Sequence, residues 1–530
     1  MTRSRFFSVI IVAAQLFFLA GCAFLGMGSD EDRALCSISA DAVMRHIEYL
    51  ASDSLKGRNT PSPELDSAAS YIVAEFQHDG LSPVGGNYRQ PVKMSIVSLG
   101  NDNMLQLTRS GSDRVFTIKT DYMPFEMTAN RAAKGQIVFA GYGITAPEYK
   151  YDDYAGLDVA GKIVFVLRHE PGEEDSSSVF KGRKATKYSD IIEKVRIAKE
   201  HGAAAVLVAT DPLHHTSLTP RGFPWPSLFK TIPKDALPLT LAIDEDSKIP
   251  VMQVGEEVIS FLFGSVDSLK AIQTLIDQAV TPRSCVLQDA SVEMKTSTEV
   301  RSLVSSNVVG VLEGSDPVLK NEYVIVGAHY DHVGMKKSHE PGEDYIYNGA
   351  DDNASGAASV LSIAAACGKL PVHPKRSIVF VPFAGEEKGL FGSSSYVDHP
   401  PLPLSQTVAM LNLDMVGRNS TDSLILIGSV QSPDIADIVR AENESIGFVL
   451  SYNQDKYLGG SDQASFMKKG IPFMFFHSGM HPQYHQVGDE ASLINGPKTA
   501  KVARLTYKVA LHLANDNKRY RLTTTTVPAY

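Results

Sequence analysis

The chain has 530 residues, of which 43% are hydrophobic and 21% charged, so most of it is expected to fold into globular domains. The formal net charge is −10. This acidic balance argues against a nucleic-acid-binding protein, because such proteins need a basic face to replace the counterions of the phosphate backbone.

The N-terminus has the features of a bacterial secretory signal. A basic stretch, "MTRSR", precedes the apolar run 6–20, which is too short and wrongly flanked for a stable transmembrane span. Leu19-Ala20-Gly21-Cys22 resembles the lipoprotein box, in which the cysteine is acylated. We therefore expect a signal peptide over 1–21, lipidation of Cys22 and a tether over 22–35. The protein would be a cell-envelope lipoprotein in the outer membrane, facing the periplasm. A plain signal peptide with a chance cysteine is the alternative.

Three further cysteines are Cys36, Cys285 and Cys367. Cys367 lies in an apolar helical segment and is expected to be a buried thiol. Cys36 and Cys285 flank predicted domain junctions and could form a disulfide in an oxidising compartment, although spacing cannot establish connectivity.

The first half of the chain changes character near residue 128. Apolar residues at helical spacing predict helices over 40–53 and 64–79, and residues 104–126 read as β-rich. Short β runs interleaved with one clear helix, "KYSDIIEKVRIAKEHG", predict a compact α/β unit over 128–285.

From about residue 300 the strands become almost continuously apolar. Helical patterns at 354–369, 432–446, 461–469 and 497–515 lie between most of them. Strands that are apolar on both faces and alternate with helices indicate a mainly parallel mixed sheet covered on both sides. The predicted fold class is therefore α/β, with a smaller inserted α/β domain.

Acidic and histidine residues follow three of these strands. Because the ligand site of such a sheet lies beyond the carboxyl ends of its strands, these side chains are expected to meet. Any one of them could be a helix cap or a surface acid, but imidazole and carboxylate together are a zinc-type ligand set. The set comprises His329, Asp331, Asp351, Asp352, Glu386, Glu387, Asp414 and His485.

His477, His481 and His485 are spaced by four, which on a helix would place them on one face. Gly479 and Pro482 interrupt the stretch, so a continuous helix is not expected and the three are not treated as one ligand set.

The motifs resemble those of the co-catalytic di-zinc aminopeptidase family, whose relatives include glutamate carboxypeptidases and glutaminyl cyclases. They are "GAHYDHVG", "GADDNASG", "FAGEEKGLFGS", "NLDMVGR", "SDQASF" and "YHQVGDE", in the expected order over 36–95 and 295–515. The segment 128–285 resembles the protease-associated domain. The resemblance implies an N-terminal part of the peptidase domain over 36–127 and a catalytic domain over 295–520.

The resemblance also implies roles for the site residues, with two zinc ions as cofactors. Glu386 would be the general base, Asp331 would orient His329, and the peptide bond Asp351–Asp352 would be cis. His332 is interpreted as a neighbour without a metal role, and Asp462 as a helix cap that could also lie near the substrate. The implied metal ligands are Asp351 as the bridge, His329 and Asp414 at one ion, and Glu387 and His485 at the other.

Glu386 and Glu387 pose a separate geometric question. Successive side chains on a strand point to opposite faces, so two neighbours on a regular strand cannot both face one site. The strand is therefore expected to end at about Ala384, with Gly385 starting a turn that frees both carboxylates.

The expected function is hydrolysis of N-terminal residues from peptides, without nucleic acid as a partner and with a membrane contact through the lipid anchor. A carboxypeptidase would need cationic groups for a substrate carboxylate, and only Arg418 is a candidate. The same motifs also leave open a one-zinc glutaminyl cyclase and a non-enzymatic binding module. The sequence predicts neither the side-chain preference nor the oligomeric state.

Overall fold

The structure is a computed structural model that describes residues 29–221, 238–452 and 454–523. The predicted signal peptide and Cys22 therefore lie outside the described residues. The rest divides into two compact units. The first runs up to Lys93 and resumes at Val304, and the second comprises Met94–Leu303. The expected insertion at 128–285 lies inside the second unit, which also takes in residues 94–127.

The N-terminal segment is helical, as its periodicity predicts. Ser39 and Ser62 cap the second and third helices by accepting hydrogen bonds from Ala42 N and Leu65 N. The elements are helices α1 (Asp30–Ser37), α2 (Ala40–Leu50) and α3 (Pro63–His78), followed by strand β1 (Arg89–Leu99).

The second unit is built around an eight-stranded sheet of order β3-β2-β12-β5-β8-β9-β11-β4. Within this sheet, four neighbouring strands run parallel to one another: β5, β8, β9 and β11. The strands are β2 (Met104–Arg109), β3 (Ser112–Val115), β4 (Tyr122–Pro124), β5 (Ala132–Phe139), β6 (Thr145–Ala146), β7 (Tyr151–Asp152), β8 (Ile163–Leu167), β9 (Ala205–Ala209), β10 (Leu239–Leu241), β11 (Val251–Val254), β12 (Cys285–Lys295) and β13 (Thr298–Val308). The helices are α4 (Ile191–Glu200), α5 (Glu256–Phe263) and α6 (Val266–Ala279).

The C-terminal segment forms a seven-stranded sheet of order β14-β16-β15-β17-β20-β18-β19. Its strands are β14 (Gly310–Leu312), β15 (Tyr323–His329), β16 (Ser377–Phe383), β17 (Thr407–Leu413), β18 (Ser423–Ile427), β19 (Val449–Ser451) and β20 (Phe473–His477). Its helices are α7 (Gly356–Gly368), α8 (Phe391–Asp398), α9 (Pro433–Asn443), α10 (Gln463–Lys468) and α11 (Gly496–Asn515).

Both faces of this sheet are buried, which confirms the predicted fold class. β16, β15, β17 and β20 run parallel in the centre of the sheet. On β16, Ile378 and Phe380 join the core formed with α2, α3, α7 and α11, whereas Val379 and Val381 join the core formed with α8 and α10. The near-continuous apolar runs thus reflect burial on two sides.

Two further expectations concern membranes and cysteines. Among the described residues, no single helix is long and apolar enough to cross a membrane. The sharply bent pair α5 and α6 together has the required length and apolar composition, but nothing else in the described part of the chain indicates a membrane span. Cys285 is a free thiol, so the suggested disulfide with Cys36 is wrong. Cys367 is buried in α7 with a free thiol, as expected.

Candidate metal centre

The candidate site forms where adjacent parallel strands end. β15 ends at His329, which pairs in register with Phe383 at the end of β16. Gly385 then adopts a left-handed backbone conformation, with φ of 75°, and opens a short turn over Glu386–Lys388. The strand therefore ends one residue before the predicted Ala384, and the turn frees both glutamates from strand alternation as expected.

Two groups of histidine and carboxylate side chains meet beyond these strand ends. In the first, His329 Nε2 lies 3.3 Å from Asp352 Oδ1 and 3.4 Å from Asp414 Oδ1. In the second, His485 Nε2 lies 3.1 Å from both Asp352 Oδ2 and Glu387 Oε2. Asp352 therefore contributes one carboxylate oxygen to each group.

The atoms that converge here are buried and short of hydrogen bonds. Within the described part of the chain, His329 Nε2, Asp352 Oδ2, Asp414 Oδ1 and His485 Nε2 make no hydrogen bond of good geometry. Buried polar atoms are almost always hydrogen-bonded in folded proteins. Four such atoms from imidazoles and carboxylates, gathered in two groups, fit cation ligands.

Asp351 does not belong to either group, and the structure brings Asp352 to the place that the sequence-based assignment gives to Asp351. Its Oδ1 accepts a hydrogen bond from Gly417 N at 2.6 Å, and its Oδ2 lies 3.3 Å from His481 Nε2. The backbone N–H groups of Asp351 and Asp352 both donate to Asp489. This anchors the turn so that only the second aspartate side chain reaches the strand ends.

The predicted cis peptide bond is displaced by the same single residue. The cis bond joins Asp352 to Asn353, not Asp351 to Asp352. The motif "GADDNASG" contains two adjacent aspartates, and sequence alone did not distinguish which of them faces the site.

The two glutamates that follow β16 have different surroundings. Burial raises the pKa of Glu386 well above its usual value, against the opposing charge of His329. Burial acts in the same direction on Glu387, but contacts with His332 and His485 hold the pKa of Glu387 below its usual value. Glu386 also lies outside both potential ligand groups.

Asp331 lies behind His329 on the side away from the two groups. Its Oδ1 is 3.6 Å from His329 Nδ1 and accepts a hydrogen bond from Glu386 N at 3.1 Å. Its Oδ2 accepts a hydrogen bond from Thr60 Oγ1 at 2.9 Å. One fully buried carboxylate thus connects the imidazole, the glutamate turn and the N-terminal segment.

Arg58 is a buried residue that sequence reasoning missed. Its guanidinium is fully buried and donates to the backbone carbonyls of Tyr330, Asn348 and Gly349 at 2.8, 2.8 and 3.0 Å. These carbonyls belong to the two loops that carry His329 and Asp352. An isolated arginine after a helix gives no sequence signal for this role.

The three histidines spaced by four do not form one ligand set, as expected, but His332 differs from its expectation. His477 ends β20 and lies 2.8 Å from the carbonyl of Asp414, while His481 contacts Asp351, so the three spaced histidines form no common face. His332, expected to be a neighbour without a metal role, is a further member of the second group, with its Nδ1 2.8 Å from Glu387 Oε1 and 3.7 Å from Asp352 Oδ2. Asp462 occupies the cap position of α10, but its side chain accepts no capping hydrogen bond.

Comparison with known families identifies both parts of the chain. Residues 307–510 match the model of Peptidase family M28, and residues 132–258 match the PA domain. The chain therefore contains a region that matches peptidase family M28 and, before it, a region that matches the PA domain. The matched M28 region contains the strands and loops that form the candidate site, and the PA match lies within the second unit.

Several characterised or named proteins are similar over parts of the chain. Aminopeptidase YwaD of Bacillus subtilis is 28% identical over 243 residues, which cover 44% of this chain and 49% of the relative. A probable lipoprotein aminopeptidase, LpqL of Mycobacterium tuberculosis, is 24% identical over 72% of this chain and 59% of its own length. A probable zinc metalloprotease of Pyrenophora teres f. teres is 37% identical over 22% of this chain and 24% of its own length.

The chain thus spans about half the length of YwaD. Among solved structures, the aminopeptidase from Aneurinibacillus sp. strain AM-1 is 23% identical, covering 94% of this chain and 98% of that chain with a TM-score of 0.45.

Proposed function

We propose that this chain is a zinc-dependent aminopeptidase that removes N-terminal residues from peptides. The observation that carries the proposal is the position of Asp352, whose two carboxylate oxygens lie in two different histidine and carboxylate groups. The match to a peptidase family and the names of the aminopeptidase relatives support the reaction class.

The proposed ligands differ from the sequence-based set at one position. His329, Asp352 and Asp414 would hold one zinc ion, and Asp352, Glu387 and His485 would hold the other. This donor set fits zinc, which binds imidazole nitrogen and carboxylate oxygen. When bound, two such ions supply Lewis acidity that polarises the scissile carbonyl and lowers the pKa of water.

Glu386 is the proposed general base. It follows β16 beside the ligand groups without joining either of them, and its backbone N–H is held by Asp331 at 3.1 Å. In this role Glu386 takes a proton from the attacking water and returns it to the leaving amine. General acid–base catalysis of this kind contributes roughly 10²–10⁴-fold to the rate.

His332 and Asp331 are proposed as positioning residues. His332 Nδ1 contacts Glu387 Oε1 at 2.8 Å, while His485 Nε2 contacts Glu387 Oε2 at 3.1 Å. Each oxygen of Glu387 therefore has one imidazole neighbour, which restricts rotation of the carboxylate. Asp331 acts on His329 in the same way, and such outer partners fix the orientation of metal ligands.

The surroundings of Arg418 favour an aminopeptidase over a carboxypeptidase. Its side chain is only 14% exposed, donates to Gln483 Oε1 at 2.9 Å and lies 3.9 Å from Asp489. The nearby Asp489 carboxylate would compete with a substrate carboxylate for this arginine. The two ligand groups sharing Asp352 likewise favour two-metal hydrolysis over a one-zinc cyclase.

Assays of the purified chain on matched substrates test the proposal. We expect cleavage of aminoacyl-anilides, loss of that activity in a chelator and its return with added zinc. The matched N-blocked anilides should not be cleaved, because they have no free α-amino group. Preferential cleavage of N-blocked peptides at the C-terminus would contradict the proposal. So would conversion of an N-terminal glutamine to pyroglutamate with release of ammonia and no peptide hydrolysis, or no turnover at all.

We further propose that the protein is anchored in the cell envelope, in the outer membrane facing the periplasm, through acylated Cys22. The support is the Leu19-Ala20-Gly21-Cys22 motif and the lipoprotein name of the LpqL relative. The variant Cys22→Ser should leave the membrane fraction or retain its signal peptide. Unchanged fractionation and processing of this variant would contradict the anchor.

A further inference from the structure

A further cluster of potential metal ligands lies in the second unit, whereas the proposed catalytic centre belongs to the first. We call it the PA-unit cluster, and it consists of His169, Glu173, Asp211 and His215. Its position follows from the sheet. β8 and β9 are parallel neighbours, with Leu167 in register with Ala209. His169 and Asp211 each follow two residues after these paired positions, at the carboxyl ends where open α/β sheets place ligands.

Glu173 and His215 complete the cluster from the same two loops. Each lies four residues beyond the first cluster member of its loop, so one loop supplies His169 and Glu173 and the other supplies Asp211 and His215. Each loop thus contributes one imidazole and one carboxylate. The two imidazole rings stack with their centroids 4.2 Å apart, and a nitrogen of each ring contacts these two carboxylates.

Each imidazole nitrogen has one close carboxylate contact and a second, longer one to the other carboxylate. His215 Nε2 lies 2.9 Å from Glu173 Oε2 and 3.5 Å from Asp211 Oδ2. His169 Nδ1 lies 3.6 Å from Glu173 Oε2 and is also in close contact with Asp211 Oδ1. The hydrogen bonds thus pair His169 with Asp211 and His215 with Glu173, and the longer contacts bring both carboxylates within 3.6 Å of both nitrogens.

The distances agree with those between ligands of one ion. In a tetrahedral zinc site with bonds of about 2.0–2.1 Å, neighbouring ligand atoms lie about 3.3 Å apart. One ligand atom from each of the four cluster residues lies within 4.8 Å of all the others. In the proposed catalytic groups, the corresponding nitrogen–oxygen distances are 3.1–3.4 Å for His329 and His485.

One carboxylate of the cluster is buried and held by hydrogen bonds, whereas two other side chains of the cluster are partly exposed to solvent. The Asp211 side chain is fully buried and accepts hydrogen bonds from His169 N and Gln273 Nε2. The side chains of Glu173 and His215 are 22% and 32% exposed. The His169 carbonyl accepts a hydrogen bond from buried Lys194 Nζ at 2.6 Å, which fixes the start of its loop. The arrangement therefore has a rigid buried carboxylate and an access path.

We propose that the PA-unit cluster binds a divalent transition-metal ion of the zinc type. Two imidazole nitrogens and two carboxylate oxygens match the ligands of zinc. They do not match Ca²⁺ or Mg²⁺, which prefer oxygen ligands alone. Four protein ligands complete a tetrahedral site, which is typical of structural and not catalytic zinc. The ion would join the loops that follow β8 and β9. This inference does not depend on the proposed peptidase activity.

Zinc analysis of the full-length chain tests the inference. Purified wild-type protein, stripped with a chelator and reloaded with Zn²⁺ alone, is compared with His215→Ala. The variant should bind one zinc ion fewer per chain and keep the wild-type aminopeptidase activity. The matched control is His214→Ala, because His214 is the adjacent residue but contacts Asp277, at 3.1 Å, and lies outside the cluster. This control should retain the wild-type zinc content.

Anomalous scattering at the zinc edge provides a second readout that does not involve activity. Crystals of the wild-type protein should show a peak among the four side chains that disappears in His215→Ala. Glu173→Gln, on the partly exposed rim, replaces His215→Ala if that variant does not fold. Equal zinc content in wild type and both variants, or wild-type crystals without a peak in the cluster, would mean that the four residues form only a hydrogen-bonded cluster.

Discussion

Each unit of the chain places histidine and carboxylate side chains at the carboxyl ends of parallel strands, yet the two clusters are organised differently. In the first unit, Asp352 divides its oxygens between two groups, and Glu386 stands beside them without joining either. In the second unit, Asp211 turns both oxygens toward the two histidines of one group. The first arrangement offers two ion sites and a spare carboxylate, the second a single site.

The number of protein ligands adds to this difference, whereas exposure does not. The side chain of His485 in the first unit is 35% exposed, and that of His215 in the PA-unit cluster is 32% exposed. A catalytic zinc keeps a coordination position for water or substrate, while a structural zinc is closed by four protein ligands. Histidines and carboxylates at the same kind of sheet edge therefore support a catalytic site in the first unit and a structural site in the second, because the carboxylates are shared differently.

The largest effect is expected from Asp352→Asn. If Asp352 bridges two zinc ions, its loss should remove both of them, leave only the zinc of the PA-unit cluster and lower activity by more than about 10⁴-fold, beyond the range of a lost general base. Asp351→Asn is the matched control, since Asp351 instead accepts a hydrogen bond from Gly417 N. Zinc analysis and kinetics on both variants check this.

Asp351→Asn should keep its zinc, although weakening a buried hydrogen bond costs about 1–3 kcal/mol of stability. The assignment of Asp352 fails if Asp351→Asn loses zinc while Asp352→Asn retains it. If instead both variants lose one ion each, the two groups do not share a single bridging carboxylate.

The next largest effect is expected from Glu386→Gln. This change should keep near-normal zinc content and lower kcat by roughly 10²–10⁴-fold, because glutamine cannot accept the proton from water. Glu387→Gln should instead weaken zinc binding, with activity partly restored at high zinc concentration. Metal analysis beside kinetics on the two purified variants distinguishes the roles.

These neighbouring glutamates also serve as controls for each other, since they share a turn and differ only in what they face. Loss of metal from Glu386→Gln, with a normal rate per bound zinc pair, would show that the roles are reversed. In neither variant should the zinc of the PA-unit cluster change, because that cluster lies in a separate unit.

Much of the fold could be predicted because burial dictates the sequence pattern. The apolar strands β15, β16 and β17 are buried on both faces, and a parallel sheet is the arrangement that produces such runs. Helices α5 and α6 were missed. The run "VISFLF" in α5 is short and rich in β-branched and aromatic residues, and periodicity cannot separate such a run from a buried strand.

The site was predictable where the strand ends determine it and not where a loop does. His329 and Asp414 lie at the last position of a strand or immediately after one, so pattern alone locates them. Asp351 and Asp352 lie in an irregular turn whose direction depends on hydrogen bonds to Asp489, 138 residues from Asp351 along the chain. The sequence gives no comparable signal for the PA-unit cluster, because its four members lie in two loops that only the pairing of β8 with β9 brings together.

The smallest expected effect concerns a histidine that, unlike those of both clusters, has no carboxylate in contact. His46, buried in α2, contacts Tyr71 Oη through Nδ1 at 2.7 Å and receives a hydrogen bond from Arg45 at Nε2. Burial, together with the charge of Arg45, lowers the pKa of His46 from 6.5 to about 4. The folded state therefore favours the neutral imidazole.

The sign of the resulting pH dependence is set by which state binds the proton. Between pH 6.5 and about 4 the unfolded chain binds a proton at His46 that the folded chain does not. The contribution of His46 to the free energy of unfolding is therefore present above pH 6.5 and is lost as the pH falls toward 4, by about 3 kcal/mol in total.

Urea unfolding across this pH range should show the loss, and a chelator in the buffer prevents any contribution from metal release. His46→Gln should flatten the curve, whereas the exposed control His78→Gln should not. A wild-type slope that persists unchanged in His46→Gln would assign the acid sensitivity of the first unit to other groups.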